Sequence, residues 1–177
     1  DFGAEIRRPI EPRFDFVRQL STPLSKSAQR DPAEWQPLRL VHSYVALYGD
    51  PLVNSKLNPY PDGFLQRLSA VGVTGVWLHA VLRDLAPGGA AFPEFGADHQ
   101  QRLANLRTLV QRAKKYGIGV YLYMNEPRAM PDSFFKNRRE MAGVTRDGLT
   151  AMCTSHPAVR EWMESALAYV FREVPGL

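Results

Sequence analysis

Cysteine is nearly absent: Cys153 stands alone among 177 residues. That excludes an intrachain disulfide and a cysteine-based zinc cluster, and it leaves the redox compartment open. Long apolar runs are missing too, so no stretch approaches a membrane span and no membrane partner is expected. The histidines His42, His79, His99 and His156 show no ligand spacing, so no metal is expected. A phosphate-cradling loop is lacking, because Gly117-Ile118-Gly119 precedes an apolar run instead of following one. No cofactor is expected. Blocks of like charge are also missing. The 22 basic and 18 acidic side chains leave a formal charge of +4, but pairs such as Arg7-Arg8, Lys114-Lys115 and Arg138-Arg139 are scattered among acids. A nucleic-acid surface needs clustering on one face, so solvated surface is the reading and no nucleic acid is expected. No signal-peptide pattern opens the chain, and a start at Asp1 reads as processed or trimmed. Soluble protein in the cytoplasm, or secreted to the periplasm or beyond, fits equally.

What is present fits a globular chain. Hydrophobic residues make up 45% and charged residues 23%, and the length allows a sizeable core. Residues 1–37 are rich in proline and charge with little periodicity, and read as an arm or the tail of a preceding module. From Leu38 to Tyr48 a first strand is predicted, ended by the turn residues Gly49-Asp50-Pro51. Asp62 is placed to cap a helix bearing Phe64, Leu65, Leu68 and Val71. A second strand, Gly75–His79, follows Gly72. Ala86–Gly96 reads as a long loop, and Gln100–Tyr116 as a helix aligning Leu103, Leu106, Val110 and Ala113. Gly117 stops that helix. Val120–Met124 then reads as a strand buried on both faces, ended near Pro127. Pro131–Arg139 is expected to be a short helix, and Gly143–Thr150 a loop or small hairpin. Ser155 is the expected cap of a last helix, with Pro157 in its first turn and Val159, Trp162, Met163, Ala166 and Val170 as its apolar stripe.

The repeat decides the fold class. Gly72-Val73-Thr74-Gly75-Val76-Trp77-Leu78 and Gly117-Ile118-Gly119-Val120-Tyr121-Leu122 are near copies, and Pro175-Gly176-Leu177 starts the pattern again. Helix-then-strand units of this kind predict an α/β protein with parallel strands. Three strands cannot close a barrel of eight, for which about 250 residues are typical, so the expectation is the N-terminal part of a (β/α)8 barrel over residues 38–177. A complete small α/β domain is the alternative. An incomplete barrel has an open sheet edge, which the remaining barrel residues or another chain would cover.

Parallel strands place their C-terminal ends on one side, where α/β barrels carry chemistry. That selects Tyr48 and Asp50 after the first strand, His79 at the end of the second, and Asn125, Glu126 and Arg128 after the third. They are expected to converge on one concave face. Glu126 is the candidate acid or hydrogen-bond acceptor, since a barrel glycosidase needs a rim carboxyl to protonate the leaving oxygen. Asn125 can bond a sugar hydroxyl, and Arg128 can bind a carboxylate or sulfate or hold Glu126 ionised. The plainer readings are a Glu126–Arg128 pair across a turn, a structural His79 and a turn-forming Asp50. Trp77, Tyr121, Tyr123 and Phe92 can stack on sugar rings, but Trp77 and Tyr121 lie inside strands and read as core. Cys153-Thr154-Ser155-His156 looks like a nucleophile site only superficially, because capping explains Ser155 and burial explains Cys153.

A family likeness accompanies these motifs. Val73–Pro87, Phe92-Pro93-Glu94-Phe95-Gly96, Tyr121–Pro131, Cys153–Pro157 and the final helix through Leu177 resemble bacterial proteins of poorly defined function that carry a glycoside-hydrolase-type TIM barrel. More distantly the chain is similar to the β-hexosaminidase barrel. That family has a strand, an acidic residue and then Met-Pro, matched here by Glu126, Met130 and Pro131. The resemblance implies a catalytic Asp-Glu pair just beyond Leu177. Clan-A glycosidases instead carry an acid/base Glu after Asn at the end of strand four, whereas Asn125-Glu126 ends the third strand counted here. The resemblance therefore implies a carbohydrate-acting hydrolase represented by the front of its barrel. A sugar-binding barrel without catalysis and a barrel lyase or aldolase are the alternatives, and no strand-end lysine supports a Schiff-base version of the last.

Overall fold

The computed structural model describes residues 20, 37–43 and 49–177. The expected arm apart from Leu20 and Pro37, and residues 44–48 of the expected first strand, Tyr48 among them, lie outside the described residues. The chain divides into two compact units. Among the described residues, the first takes those up to His79, then 104–123 and Gly176–Leu177; the second takes Ala80–Leu103 and Met124–Pro175.

The first unit is a mixed α/β arrangement around a three-stranded parallel sheet. Its strands are β1 (Leu40–Val41), β2 (Gly75–His79) and β3 (Gly119–Tyr123), in the order β1-β2-β3. Gly75 pairs with Gly119, Trp77 with Tyr121 and His79 with Tyr123. Helix α1 (Asp62–Ala70) precedes β2. Left-handed glycines after the helices, Gly72 at φ 90° and Gly117 at φ 68°, let the chain turn into each strand. Side chains alternate across a strand. Val76, Leu78 and Val120 point to one face and are buried, as are Leu65 and Leu68 of α1.

Several expectations need correction here. Between Leu38 and Ser43 only Leu40–Val41 is strand. β3 is not buried on both faces. Tyr121 and Tyr123 share its other face at 42% and 49% exposure, so Tyr121 is not core. Its ring lies near Gly75, where a Cβ would meet Leu40 Cδ2 at 2.5 Å and the Tyr121 ring at 2.7 Å, so both side chains would have to shift. Asp62 does not cap α1. Pro61 holds that position, and the Asp62 carboxylate instead accepts from Arg112 Nε at 2.7 Å. Val71 lies past the helix and is exposed.

Helix α3 (His99–Lys114) gives its first residues to the second unit and the rest to the first, and its Leu103, Leu106, Val110 and Ala113 stripe is buried as expected. In the second unit a short helix that the sequence did not suggest, α2 (Leu82–Leu85), follows directly on Val81. The Ala86–Gly96 stretch is irregular yet inward-packed: Phe92 is fully buried, and its ring lies 5.1 Å from Phe95 and 5.5 Å from Trp162. Arg138 lies 4.4 Å over the Phe134 ring and pairs with Glu94 at 2.9 Å.

A second sheet, in the order β4-β6-β5, joins β4 (Met130–Pro131), β5 (Ala142–Arg146) and β6 (Leu149–Met152). The small hairpin is thus real, turning on Asp147 and Gly148 at φ 51° and 76°, the two positive values of a type I′ turn. The expected helix at Pro131–Arg139 is replaced by 3-10 turns at Asp132–Phe135 and Arg139–Met141. Helix α4 (Pro157–Glu173) has His156, not Ser155, at its cap, with no side-chain bond there. Val159, Trp162, Ala166 and Val170 are its buried stripe; Met163 is only half-buried. Cys153 is also half-buried, so full burial does not explain it. Among the described residues no helix is long and apolar enough to cross a membrane.

Candidate functional site

The chain leaves the first unit after His79 and again after Tyr123, the last residues of β2 and β3. Register sets those two side by side at the C-terminal end of the parallel sheet. Their rings lie 6.0 Å apart, and Tyr123 is 5.3 Å from Trp77. His42, just past β1, stacks on Trp77 at 4.5 Å. His42, Trp77, Tyr123 and His79 thus form a connected row of rings, with Tyr123 and His42 exposed and the other two half-buried. Flat faces with polar edges can stack on an apolar ring face and bond its hydroxyls. Trp77 was read as core, but it lies in this row.

Tyr60 fastens the row from beneath. Its hydroxyl donates to the Trp77 carbonyl oxygen at 2.5 Å and accepts from the Ser43 amide at 3.0 Å. Burial pushes its phenol up to about 12, so it stays protonated and keeps donating. Asp50, also in this unit, behaves as the turn residue of the plainer reading: its carboxylate accepts from the Leu52 amide at 3.0 Å. Tyr48 lies outside the described residues.

In the second unit, Glu126 follows exposed Asn125 and precedes a cis proline. Its two carboxylate oxygens are held by two backbone amides. Oε1 accepts from Leu82 at 2.7 Å, at the start of α2, and Oε2 accepts from Arg128 at 3.0 Å. The expected partnership with Arg128 therefore exists, but through the Arg128 backbone. Burial pushes the Glu126 carboxyl above its ordinary value, while the two amides and the charges of Arg128 and Arg83 pull the other way. Arg83 reaches the sulfur of Met130, beside the same loop. Clamped on both oxygens, this carboxylate is a positioned acceptor more than a free proton donor.

The expected site residues are thus placed in two sets, Asp50 and His79 in the first unit and Asn125, Glu126 and Arg128 in the second. Sequence reasoning missed His42 and Leu82. The spacing of Leu40 and His42 on alternate positions could have put His42 in line with Trp77. Nothing local could have tied Glu126 to Leu82, 44 residues away. Among the described residues no cluster of three His, Cys, Asp or Glu side chains is placed to hold a metal ion.

No family model matches this chain, and no curated protein sequence matches it. One solved structure that it is similar to is the α-amylase of Geobacillus thermoleovorans complexed with acarbose, at 19% identity and a TM-score of 0.42. That match covers 64% of this chain, which spans only 31% of the amylase chain. A likeness so remote assigns nothing to particular residues here.

Proposed function

We propose that this chain is the front of a glycoside-hydrolase-like (β/α) barrel and that it binds carbohydrate at the C-terminal ends of β2 and β3. The observation that supports this is the row His42, Trp77, Tyr123 and His79, whose neighbouring ring centroids are 4.5, 5.3 and 6.0 Å apart. Such a row offers stacking faces and hydrogen-bonding edges at the end of a parallel sheet where α/β proteins bind ligands. The three helix-glycine junctions at Gly72, Gly117 and Gly176 support the barrel reading, because each carries a positive φ.

As a separate proposal for the second unit, Glu126 is a hydrogen-bond acceptor for a sugar hydroxyl and is not the proton donor. A general acid must release its proton to the leaving oxygen, whereas both Glu126 oxygens accept from backbone amides. This favours recognition by Glu126, with Asn125 and Arg128 beside it, and keeps a non-catalytic sugar-binding barrel as the second reading.

The test is binding and kinetics on the same variants. Tyr123→Ala should weaken binding of a ligand saccharide about 5- to 150-fold, taking a sugar ring to stack as a nucleobase does, at about 1–3 kcal/mol. For hydrolysis of aryl glycosides, Glu126→Gln should act mainly on KM. A drop in kcat of about 10²–10⁴-fold, confined to poor leaving groups, would instead make Glu126 the general acid. Unchanged saccharide affinity in Tyr123→Ala would remove the strand-end reading.

A further inference from the structure

We infer that the second unit carries a separate groove along α4 that binds a short, neutral oligosaccharide. The groove has a volume of about 550 Å³, within the range of small-molecule sites. One wall is the Pro87–Ala91 stretch; the other is a single stripe of α4 carrying Glu161, Ser165, Tyr169 and Arg172. The spacing of those four keeps them on one helical face, and eleven residues at 1.5 Å each separate Glu161 from Arg172 by roughly 16 Å.

The chemistry selects the ligand. Glu161 lies toward one end, and at the other Arg172 is ion-paired with Glu173 at 3.6 Å, so the groove offers an anion no uncompensated cation. The acid accepts hydroxyl hydrogens and the guanidinium donates to hydroxyl oxygens. Tyr169 adds a half-buried ring between them, with Arg172 5.3 Å from its centroid and the His99 ring at 5.7 Å. The opposite wall is Pro87 with two glycines and two alanines, small side chains that leave room for a flat ring. Gly88 cannot be larger, because a Cβ there would lie 1.8 Å from the Phe92 carbonyl oxygen, whereas Gly89 faces open space. The groove is therefore built into the backbone at one point and open at the next. Its chemistry stands apart from the strand-end row and from Glu126.

The experiment uses Tyr123→Ala as background, which weakens the strand-end row and leaves the groove intact. Maltotriose, cellotriose and xylotriose are each titrated into that protein by calorimetry. At least one should bind saturably with one-to-one stoichiometry. Adding Ser165→Trp, a bulky residue at an exposed position in the groove, should weaken that binding tenfold or more, and so should Tyr169→Ala. Circular dichroism identifies a variant that has unfolded, and Ser165→Trp then decides alone. No saturable binding by any of the three, or binding unchanged in folded Ser165→Trp, overturns the groove. Equal binding by wild type and Tyr123→Ala leaves the groove standing and counts against the strand-end site instead.

Discussion

Each of the two units is stabilised internally by its own means. The first rests on a ladder that repeats: helix, left-handed glycine, parallel strand, with β2 and β3 in unbroken register over five residue pairs. The second has only short elements before α4, the helix α2 and the small β4-β6-β5 sheet, and depends as well on particular long-range contacts. Phe92 packs among aromatic rings, Arg138 spans Phe134 and Glu94, and Glu126 reaches the Leu82 amide. Backbone periodicity tolerates change at many positions because each bond is one of a series. A structure of single contacts has a few positions at which one atom decides the outcome.

Gly88 tests that contrast most severely. Gly88→Ala would place a Cβ 1.8 Å from the Phe92 backbone oxygen, and backbone cannot move aside like a flexible side chain. The second unit should then lose its packed Phe92 loop, with a loss at the exceptional end for single substitutions, above about 4 kcal/mol. Gly89→Ala is the control. It meets nothing within 4 Å and pays only for its positive φ of 63°, a cost of about 1–2 kcal/mol. Thermal melts of the two variants check this; similar melting temperatures would mean that the loop is softer than its packing implies.

A smaller effect is expected in the first unit. Tyr60→Phe removes a hydroxyl that serves both the Ser43 amide and the Trp77 carbonyl. Leaving a buried partner unsatisfied costs about 1–3 kcal/mol. Chemical denaturation should show a lower midpoint with an unchanged slope, because the ladder itself persists. The ring row above Tyr60 should also loosen, so saccharide binding should weaken along with stability. A loss of stability with full retention of binding would mean that Tyr60 supports the sheet but not the row.

The same contrast explains what the sequence made legible. β2 and β3 could be read from the Gly72 and Gly117 repeats because their signals are local and occur twice. The stripes of α3 and α4 could be read for the same reason, since period follows from the backbone alone. Tyr121 and Tyr123 misled because an apolar run resembles a strand buried on both faces, and only the sheet shows that one face stays open. The Ala86–Gly96 loop was recognised as loop, but its glycines and prolines concealed that Phe92 is fully buried. Asp147-Gly148 between apolar runs was a readable hairpin signal. Glu126 was singled out by its strand-end place, while its partner at Leu82 depends on a contact 44 residues away that no local pattern encodes.

The finest test concerns that contact. Burial raises the Glu126 carboxyl above its ordinary value, so the folded protein holds this proton to higher pH than the unfolded chain does. Between the ordinary carboxylate value and the raised one, the native state binds more protons, and stability therefore falls as pH rises. The contribution is fully present below the unfolded value and is lost as pH climbs through the folded one. Glu126→Gln has no proton to lose, so the difference in melting temperature between wild type and variant should drift with pH across that window and level off above it. Wild type should lose ground to the variant as the pH increases. Other carboxylates titrate in both proteins and cancel in the difference. A flat difference would show that the Leu82 and Arg128 amides, with the nearby arginine charges, offset burial completely. A drift of opposite sign would show that they outweigh it, and Glu126 would then be an ionised anchor throughout the pH range of the fold.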